Sequence, residues 1–532
     1  MTRSSFRPIA AVGLVAAILT YVGCARTRDV AGPTAEPPPK PARVEAKGDA
    51  AGAGAATLPK VIADWSAAPP AGILIVSGEQ DGYLQPCGCT DGQLGGLGRR
   101  YDLVEKLRGR GWGWPVVPID LGNLIYKPAS SRGGFEQEKV KFDTALKALA
   151  AMKYEAVALG AEDLKLGVLQ TLGVLLNSQG PKFLAANVKP GEGLEKTVGS
   201  MVLTKAGPVT VGVTAVIDPA AYDALPDPDK ALLTVKPPEE VLPGVLEQLK
   251  KDAQVRVLMV QGPPELAKGL AEKFPGFDLV VSTSVFADPD GRPEMLHGGK
   301  TMLINVGQKG KYVGVVGLFP GQEPMLRFVL QPLDQRGLRE AEPIRKLIDV
   351  DMQDDLRKIG VVENFPRRTN NVGPAGATYV GAESCQSCHP KTFEKWSTTK
   401  HARAFETLLN PKRNREHDAE CISCHTTGFK YTSGWVSKEK TPYLKGNQCE
   451  NCHGPASMHV GDPDNPAYRK PMALTAEMAN RNNFCNNCHD EDNDHNFTFD
   501  ARYAQIFHKG LDVYDDPKVH QPRPAKVANG AR

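Results

Sequence analysis

Residues 448–459 read QCENCHGPASMH. Cys449 and Cys452 stand three apart with His453 directly after them, and His459 follows six residues later. The same spacing recurs at Cys385-Gln-Ser-Cys388-His389, Cys421-Ile-Ser-Cys424-His425 and Cys485-Asn-Asn-Cys488-His489, so eight of the eleven cysteines lie in four copies of one motif. Cys-x-x-Cys-His is the attachment signal of c-type haem: two thiols add to the vinyl groups, and the histidine is placed under the iron. Zinc favours Cys₂His₂ or Cys₄ sets, and a histidine after every second cysteine argues against it. The sequence predicts four covalent haems c, with His389, His425, His453 and His489 as iron ligands. First cysteines at 385, 421, 449 and 485 are 36, 28 and 36 residues apart. So few residues per cofactor cannot build a conventional core, so the porphyrins must supply buried apolar area, and short helices with long loops are expected.

Three further histidines lie in suggestive settings. The segment from Gly454 to Met458 is too short and turn-rich for His459 to curl over its own haem, so a neighbouring haem is its expected target. His401 lies in Trp396-Ser-Thr-Thr-Lys-His-Ala-Arg-Ala-Phe405 and His508 in Tyr503-Ala-Gln-Ile-Phe-His-Lys509. His417 and His495 occupy charged runs and His520 a Pro-rich tail; these three read as solvated surface residues.

From residue 379 to about 510 the chain resembles the tetrahaem cytochrome family that carries electrons from hydroxylamine oxidoreductase. The resemblance is carried by Val380-Gly-Ala-Glu-Ser-Cys-Gln-Ser-Cys-His389, Lys400-His-Ala-Arg-Ala404, Glu420-Cys-Ile-Ser-Cys-His-Thr-Thr-Gly-Phe429 and Leu444-Lys-Gly-Asn-Gln-Cys-Glu-Asn-Cys-His-Gly-Pro455. It implies three haems with two histidine ligands and one five-coordinate haem. By that resemblance His401, His459 and His508 are distal ligands, and His425, followed by Thr426-Thr-Gly-Phe429, holds the open iron, a candidate catalytic site. Which haems His401 and His508 serve is left open.

Upstream the character changes. The 532 residues are too many for one core. Lys and Arg number 64 against 61 Asp and Glu, a net charge of +3 without a dense basic block, so nucleic acid is not an expected partner. Arg3 and Arg7 precede an apolar run of fourteen, Ile9 to Val22. A membrane span needs about 20 residues, so this run reads as an export signal. Tyr21-Val-Gly-Cys24 resembles a lipoprotein cleavage site, which implies lipidation of Cys24 and a periplasmic or cell-surface protein anchored to the membrane.

Between residues 71 and 320 short apolar runs alternate with amphipathic segments such as Gln137 to Met152 and Val241 to Lys251. The runs are Gly72 to Val76, Val116 to Ile119, Ala156 to Leu159, Phe183 to Val188, Val209 to Ile217, Val255 to Val260, Leu279 to Ser282 and Met302 to Val306. This is the pattern of an α/β layered domain. In layout it resembles the metal-dependent phosphoesterase domain of periplasmic 5′-nucleotidases and UDP-sugar hydrolases, through Val76-Ser-Gly-Glu-Gln-Asp-Gly82, Asp120-Leu-Gly-Asn123, Gly160-Ala-Glu-Asp163 and Asn305-Val-Gly-Gln-Lys-Gly-Lys-Tyr312. The family's metal ligands are not retained. Glu79 and Asp81 stand where Asp-x-His is expected, Asn123 replaces an aspartate, and Ala161-Glu162 replaces Asn-His. Gln261 and Ser282-Thr-Ser284 replace later histidines. His297 is the one histidine of the domain, and imidazole is the usual transition-metal ligand, so a degenerate scaffold is expected. Cys87-Gly-Cys89 is either a turn or disulfide feature or a metal or redox site.

The expected organisation is a lipoprotein signal (1–23), a Pro/Ala-rich linker (24–70), a degenerate metallophosphoesterase-like domain (71–335), a helix and linker (336–376), a mostly α and irregular multihaem domain (377–510) and a polar tail (511–532). The expected function is electron transfer to redox partner proteins. One alternative is a haem reductase of a small nitrogen compound, and a second is an active phosphohydrolase with a cytochrome tail.

Overall fold

The computed structural model describes residues 60–86, 92–109, 112–370, 373–410 and 414–512. Cys24 with its signal segment, Cys87, Cys89 and His520 lie outside the described residues. Among those described, no helix is long and apolar enough to cross a membrane.

The strand Gly72–Ser77 is buried at all six positions. Side chains alternate across a strand, so both faces must be covered. Leu74 and Val76 point to a second sheet, where Val211, Val213, Ala215, Val257 and Met259 meet them. Ile73 and Ile75 point outward to Leu103, Val104 and Leu107 of the helix Leu97–Arg108. The first sheet has six strands in the order Leu326–Pro332, Tyr312–Leu318, Gly72–Ser77, Val116–Asp120, Ala156–Ala158, Lys182–Leu184. The second runs Glu294–Leu296, Thr301–Ile304, Leu279–Ser282, Val255–Gln261, Val209–Ile217, Met201–Ala206. Helices Pro238–Asp252 and Pro264–Lys273 cover its outer face through Leu242, Leu246, Leu249 and Leu270. The domain is thus an α/β/β/α sandwich, the layered α/β class expected from the alternation.

The expected strand Phe183 to Val188 is interrupted. Asn187 leaves the sheet because its side chain accepts from Ile217 N–H and donates to the carbonyls of Ile217 and Lys236. Short strands Lys182–Leu184 and Val188–Pro190 result. The connection after the sandwich is more than a polar spacer. Glu342–Lys346 and Met352–Ile359 are helical, joined by a π turn at Leu347–Asp351. Ile344, Ile348, Met352 and Leu356 enter a core cluster shared with Leu146 and Leu149 of the helix Gly134–Ala151 and with Phe405, Ile422, Trp435 and Leu444 beyond. The C-terminal domain has short helices, the longest among the described residues being eight residues (Pro390–Ser397 and Phe499–Ile506). Beyond Leu444 its buried apolar side chains, among the described residues, are Pro455, Ala456 and Ala479.

Candidate haem sites and the cleft beside them

The second and third motifs are single short helices, Ala419–His425 and Cys449–His453. Asp418 caps the former by accepting from Glu420 N–H at 3.1 Å; Gln448 and Asn451 form a reciprocal box on the latter. In the first and fourth motifs, His389 N–H donates to Cys385 O and His489 N–H to Cys485 O, each at 2.9 Å, closing one helical turn. Positions i, i+3 and i+4 share a helix face, so both thiols and the imidazole of each motif project to one side. All eight motif cysteines are free of disulfides.

The histidines are oriented through Nδ1. His425 Nδ1–H donates to Ala404 O at 2.6 Å, His453 to Met472 O at 2.7 Å, and His508 to Ile506 O at 2.8 Å. His489 donates instead to the Asp494 carboxylate at 2.9 Å. A proton fixed on Nδ1 leaves the Nε2 lone pair for a metal. Two pairs of rings lie close together: His401 and His489 have centroids 6.0 Å apart with planes 55° apart, His453 and His508 5.8 Å with planes 64° apart. Metal–imidazole bonds are roughly 2 Å, so two rings sharing one iron sit with centroids about 6 Å apart. Burial, with the neighbouring His489, holds His401 below the ordinary histidine value, favouring the neutral imidazole that ligates metals. Among the described residues His425 makes no such ring contact. The residues present fit covalent haem.

His459 lies on the helix Ser457–Gly461, tied at its start to the segment leading into the first motif. Ser457 N–H donates to Thr378 O at 3.1 Å, and Thr378 N–H to Ser457 Oγ at 2.8 Å. Glu450, inside the third motif, extends this link: its carboxylate accepts from Gly381 N–H at 2.7 Å, Ala456 N–H at 2.8 Å and Val380 N–H at 3.1 Å. Burial raises its carboxyl, opposed by these three donors. Sequence reasoning missed Glu450 and Asp494, since an acid between motif cysteines and one in an acidic loop both read as solvated.

Two of the three close motif pairs join motifs that are not consecutive in sequence. The Cys385 and Cys449 thiols touch, as do those of Cys424 and Cys488, and Cys452 lies within electrostatic reach of Cys485. The attachment sites therefore run first, third, fourth, second.

The sandwich grips this domain at named points. Gln137 donates to Asp418 Oδ1 and accepts from Ala419 N–H, both at 2.8 Å. Lys141 pairs with Glu420 at 2.7 Å, and Arg415 with Asp349 of the π turn at 2.5 Å. Arg132 meets Asp490, and Lys309 meets Asp492, each at 2.6 Å.

These last contacts lie beside the ends of the phosphoesterase-like strands, where Lys309 and Asp492 neighbour Asp81. Asp120 and Arg100 are fully buried and paired at 3.4 Å. Glu79 accepts from Ser284 N–H at 2.7 Å, Asp163 accepts from Ile125 N–H at 3.2 Å, and Gln261 donates to Leu121 O. The residues at the ligand positions are thus engaged with backbone. Glu79, Asp81 and Asn123 adopt φ of 47°, 53° and 54°, a strained left-handed geometry that clusters at functional sites. Among the described residues, no group of three or more His, Cys, Asp and Glu side chains is arranged to hold a metal.

Burial pushes Glu79 to about 8, Asp81 to about 7 and Asp163 to about 8, from ordinary values of 4.5, 3.8 and 3.8. Between those limits the folded chain holds more protons than the unfolded one, so stability falls as pH rises. The melting midpoint of the sandwich, followed by circular dichroism, is expected to drop from about pH 5 to about pH 8, and Glu79→Gln to shallow the drop. A midpoint that rises over this range counts against buried protonated carboxyls.

Residues 384–454 match the family model described as cytochrome c554 and c-prime, a segment holding three motifs and His401. Cytochrome c-554 of Nitrosomonas europaea is 34% identical over 101 residues, 16% of this chain and 43% of that protein. The multiheme cytochrome MtrA of Shewanella baltica is 34% identical over 80 residues, 14% of this chain and 23% of that one. The chain spans less than half the length of either curated relative. Among solved structures, a 5′-nucleotidase precursor from Thermus thermophilus shares 16% identity at a TM-score of 0.47, covering 59% of this chain and 62% of that one. The calcineurin-like phosphoesterase YfkN of Bacillus subtilis shares 17% at 0.42, covering 54% and 98%. The C-terminal domain is cytochrome c-like, with motifs suited to covalent haem c, and the N-terminal domain has phosphoesterases among its structural neighbours.

Proposed function

We propose that this protein is an exported, lipid-anchored tetrahaem cytochrome that exchanges electrons with redox partner proteins in the periplasm or at the cell surface, and that its sandwich domain is a scaffold without phosphoesterase chemistry. Haem c, when bound, supplies reversible one-electron chemistry. The observation that carries the reading is the two close histidine pairs, His401 with His489 and His453 with His508, whose ring centroids lie about as far apart as two imidazoles on one iron. The four motif turns hold the thiols. Nδ1 hydrogen bonds fix three of the motif imidazoles and His508, and the interleaved order of attachment sites places each beside another. His459, on the helix tied to the segment before the first motif, is the distal ligand assigned to His389.

A second reading, reduction of a small nitrogen compound, is favoured by His425, which faces no second histidine among the described residues. Both readings meet in one measurement. Pyridine haemochrome assay is expected to give four haems per chain. EPR of the oxidised protein is expected to show three low-spin centres and one high-spin centre that takes up nitric oxide. Four low-spin signals without ligand uptake would remove the open site and the reductase reading with it. Turnover of a nitrogen compound by the wild type, lost when nitric oxide or cyanide occupies the iron, would instead favour the reductase.

A further inference from the structure

His453 and His489 form a matched pair that differs in one respect. Each closes a Cys-x-x-Cys-His turn, and each faces a second imidazole, at 5.8 and 6.0 Å. His453 Nδ1–H donates to a neutral backbone carbonyl, that of Met472, at 2.7 Å. His489 Nδ1–H donates to the Asp494 carboxylate at 2.9 Å. A charged acceptor draws the Nδ1 proton further and makes Nε2 the more basic ligand. A more basic axial nitrogen favours Fe(III) over Fe(II), and second-shell hydrogen bonding is one of the levers that set haem potential. Asp494 is 8% exposed, so water screens its charge little. Arg502 approaches its other oxygen only to 3.9 Å, a weaker contact than the direct bond to the ring.

The sandwich domain holds this carboxylate in place. Phe497 stacks on the His489 ring with centroids 5.0 Å apart and planes 22° apart, and its N–H donates to Asp494 O at 2.8 Å. Asp494 N–H donates to Asp490 O at 2.7 Å, so the 490–494 segment is one tight turn. Arg132 and Lys309, both from the sandwich, grip that turn at Asp490 and Asp492. Gln93 donates to the Asp492 carbonyl.

We infer that Asp494 is a positioning residue that makes the haem on His489 more strongly reducing than the haem on His453, and that the N-terminal domain tunes this centre by clamping the 490–494 turn. The inference rests on the reading of both histidines as iron ligands. In that arrangement the degenerate phosphoesterase scaffold sets a redox property of the cytochrome.

The test is a redox titration of the full-length holoprotein, followed optically and by EPR. In Asp494→Asn, which keeps an acceptor but removes the charge, one midpoint is expected to rise while the others stay in place, and the low-spin signal of that centre is expected to shift. The double variant Arg132→Gln, Lys309→Met is expected to raise the same midpoint by less. Unchanged midpoints in Asp494→Asn, with four haems attached, overturn the inference. If Asp494→Asn fails to mature, the double variant carries the test, and unchanged midpoints there overturn it equally. Mass analysis of the peptide holding Cys485 to His489 separates the two failures: a peptide without haem in the wild type refutes the ligand reading, not the tuning alone.

Discussion

Made without haem, the chain will keep its sandwich and lose the last part of its C-terminal domain. The sandwich has an interior of its own, with Leu74, Val76, Val213, Val257 and their neighbours packed between two sheets. Residues 405–444 contribute Phe405, Ile422, Trp435 and Leu444 to a cluster that also contains Phe142 and Leu146, so this stretch is held by the sandwich. From Cys449 onward only Pro455, Ala456 and Ala479 are buried apolar side chains among the described residues. Burying an alanine removes little apolar area at about 25 cal/mol per Å², far below the cost of ordering a chain of this length, about 1–2 kcal/mol per residue for the backbone. Hydrogen exchange on protein produced without haem attachment should show protection over 72–335 close to that of the holoprotein and almost none over 449–512. Strong protection of 449–512 in haem-free protein would show an interior that does not depend on porphyrin.

Replacing Lys141 with Met should cost about 3–5 kcal/mol, the range for removing one partner of a buried ion pair. The Lys141 ammonium lies 3.2 Å from Glu138 and 2.7 Å from Glu420, with the Glu138 side chain 2% exposed. Burial works to lower the lysine, but the two carboxylates outweigh it and hold the group above its ordinary value. Glu138 is pushed to about 7 by burial, against the pull of Lys141. Without Lys141 that carboxyl moves further up and takes a proton on folding. The loss should therefore be largest at about pH 8 and shrink toward about pH 5. Glu138→Gln added to Lys141→Met should recover part of it, a coupling that a double-mutant cycle reads directly. Denaturant unfolding checks both points. A loss below about 1 kcal/mol that does not vary with pH would show that Lys141 is not the buried partner the geometry makes it.

Local chemistry was legible in the sequence; long-range assignment was not. Cys-x-x-Cys-His closes on itself within one turn, and the strand Gly72–Ser77 announces itself by apolar runs. The histidines at 401, 459 and 508 stood out by setting, but only the fold brings His401 to His489 and His508 to His453. The strands Met201–Ala206 and Leu326–Pro332, at the sheet edges, escaped notice because only two side chains of each are fully buried. The helix expected within 336–376 is present; it begins at Glu342, where Pro343 suits its first turn, and carries a π turn. That turn places Asp349 against Arg415, a contact between residues far apart in the chain. Glu450 and Asp494 could not be singled out, because their role depends on which backbone amides and which ring come near.

The crossing of sequence order and spatial order bears on how the domain matures. The chain is made from its N-terminus, so His401 follows the first motif immediately and precedes the fourth by most of the domain. Its facing ring, His489, does not yet exist when His401 becomes available. On the proposed ligand reading, a haem held at His389 would have His401 within reach in the interval, and His401 would have to leave it to meet His489. The long loops that separate partners make the correct closures slow, and the wrong, local closure fast. On that reading, maturation of this domain would be an exchange problem rather than a simple succession of attachments, with the transfer of His401 to the last motif as its slowest step.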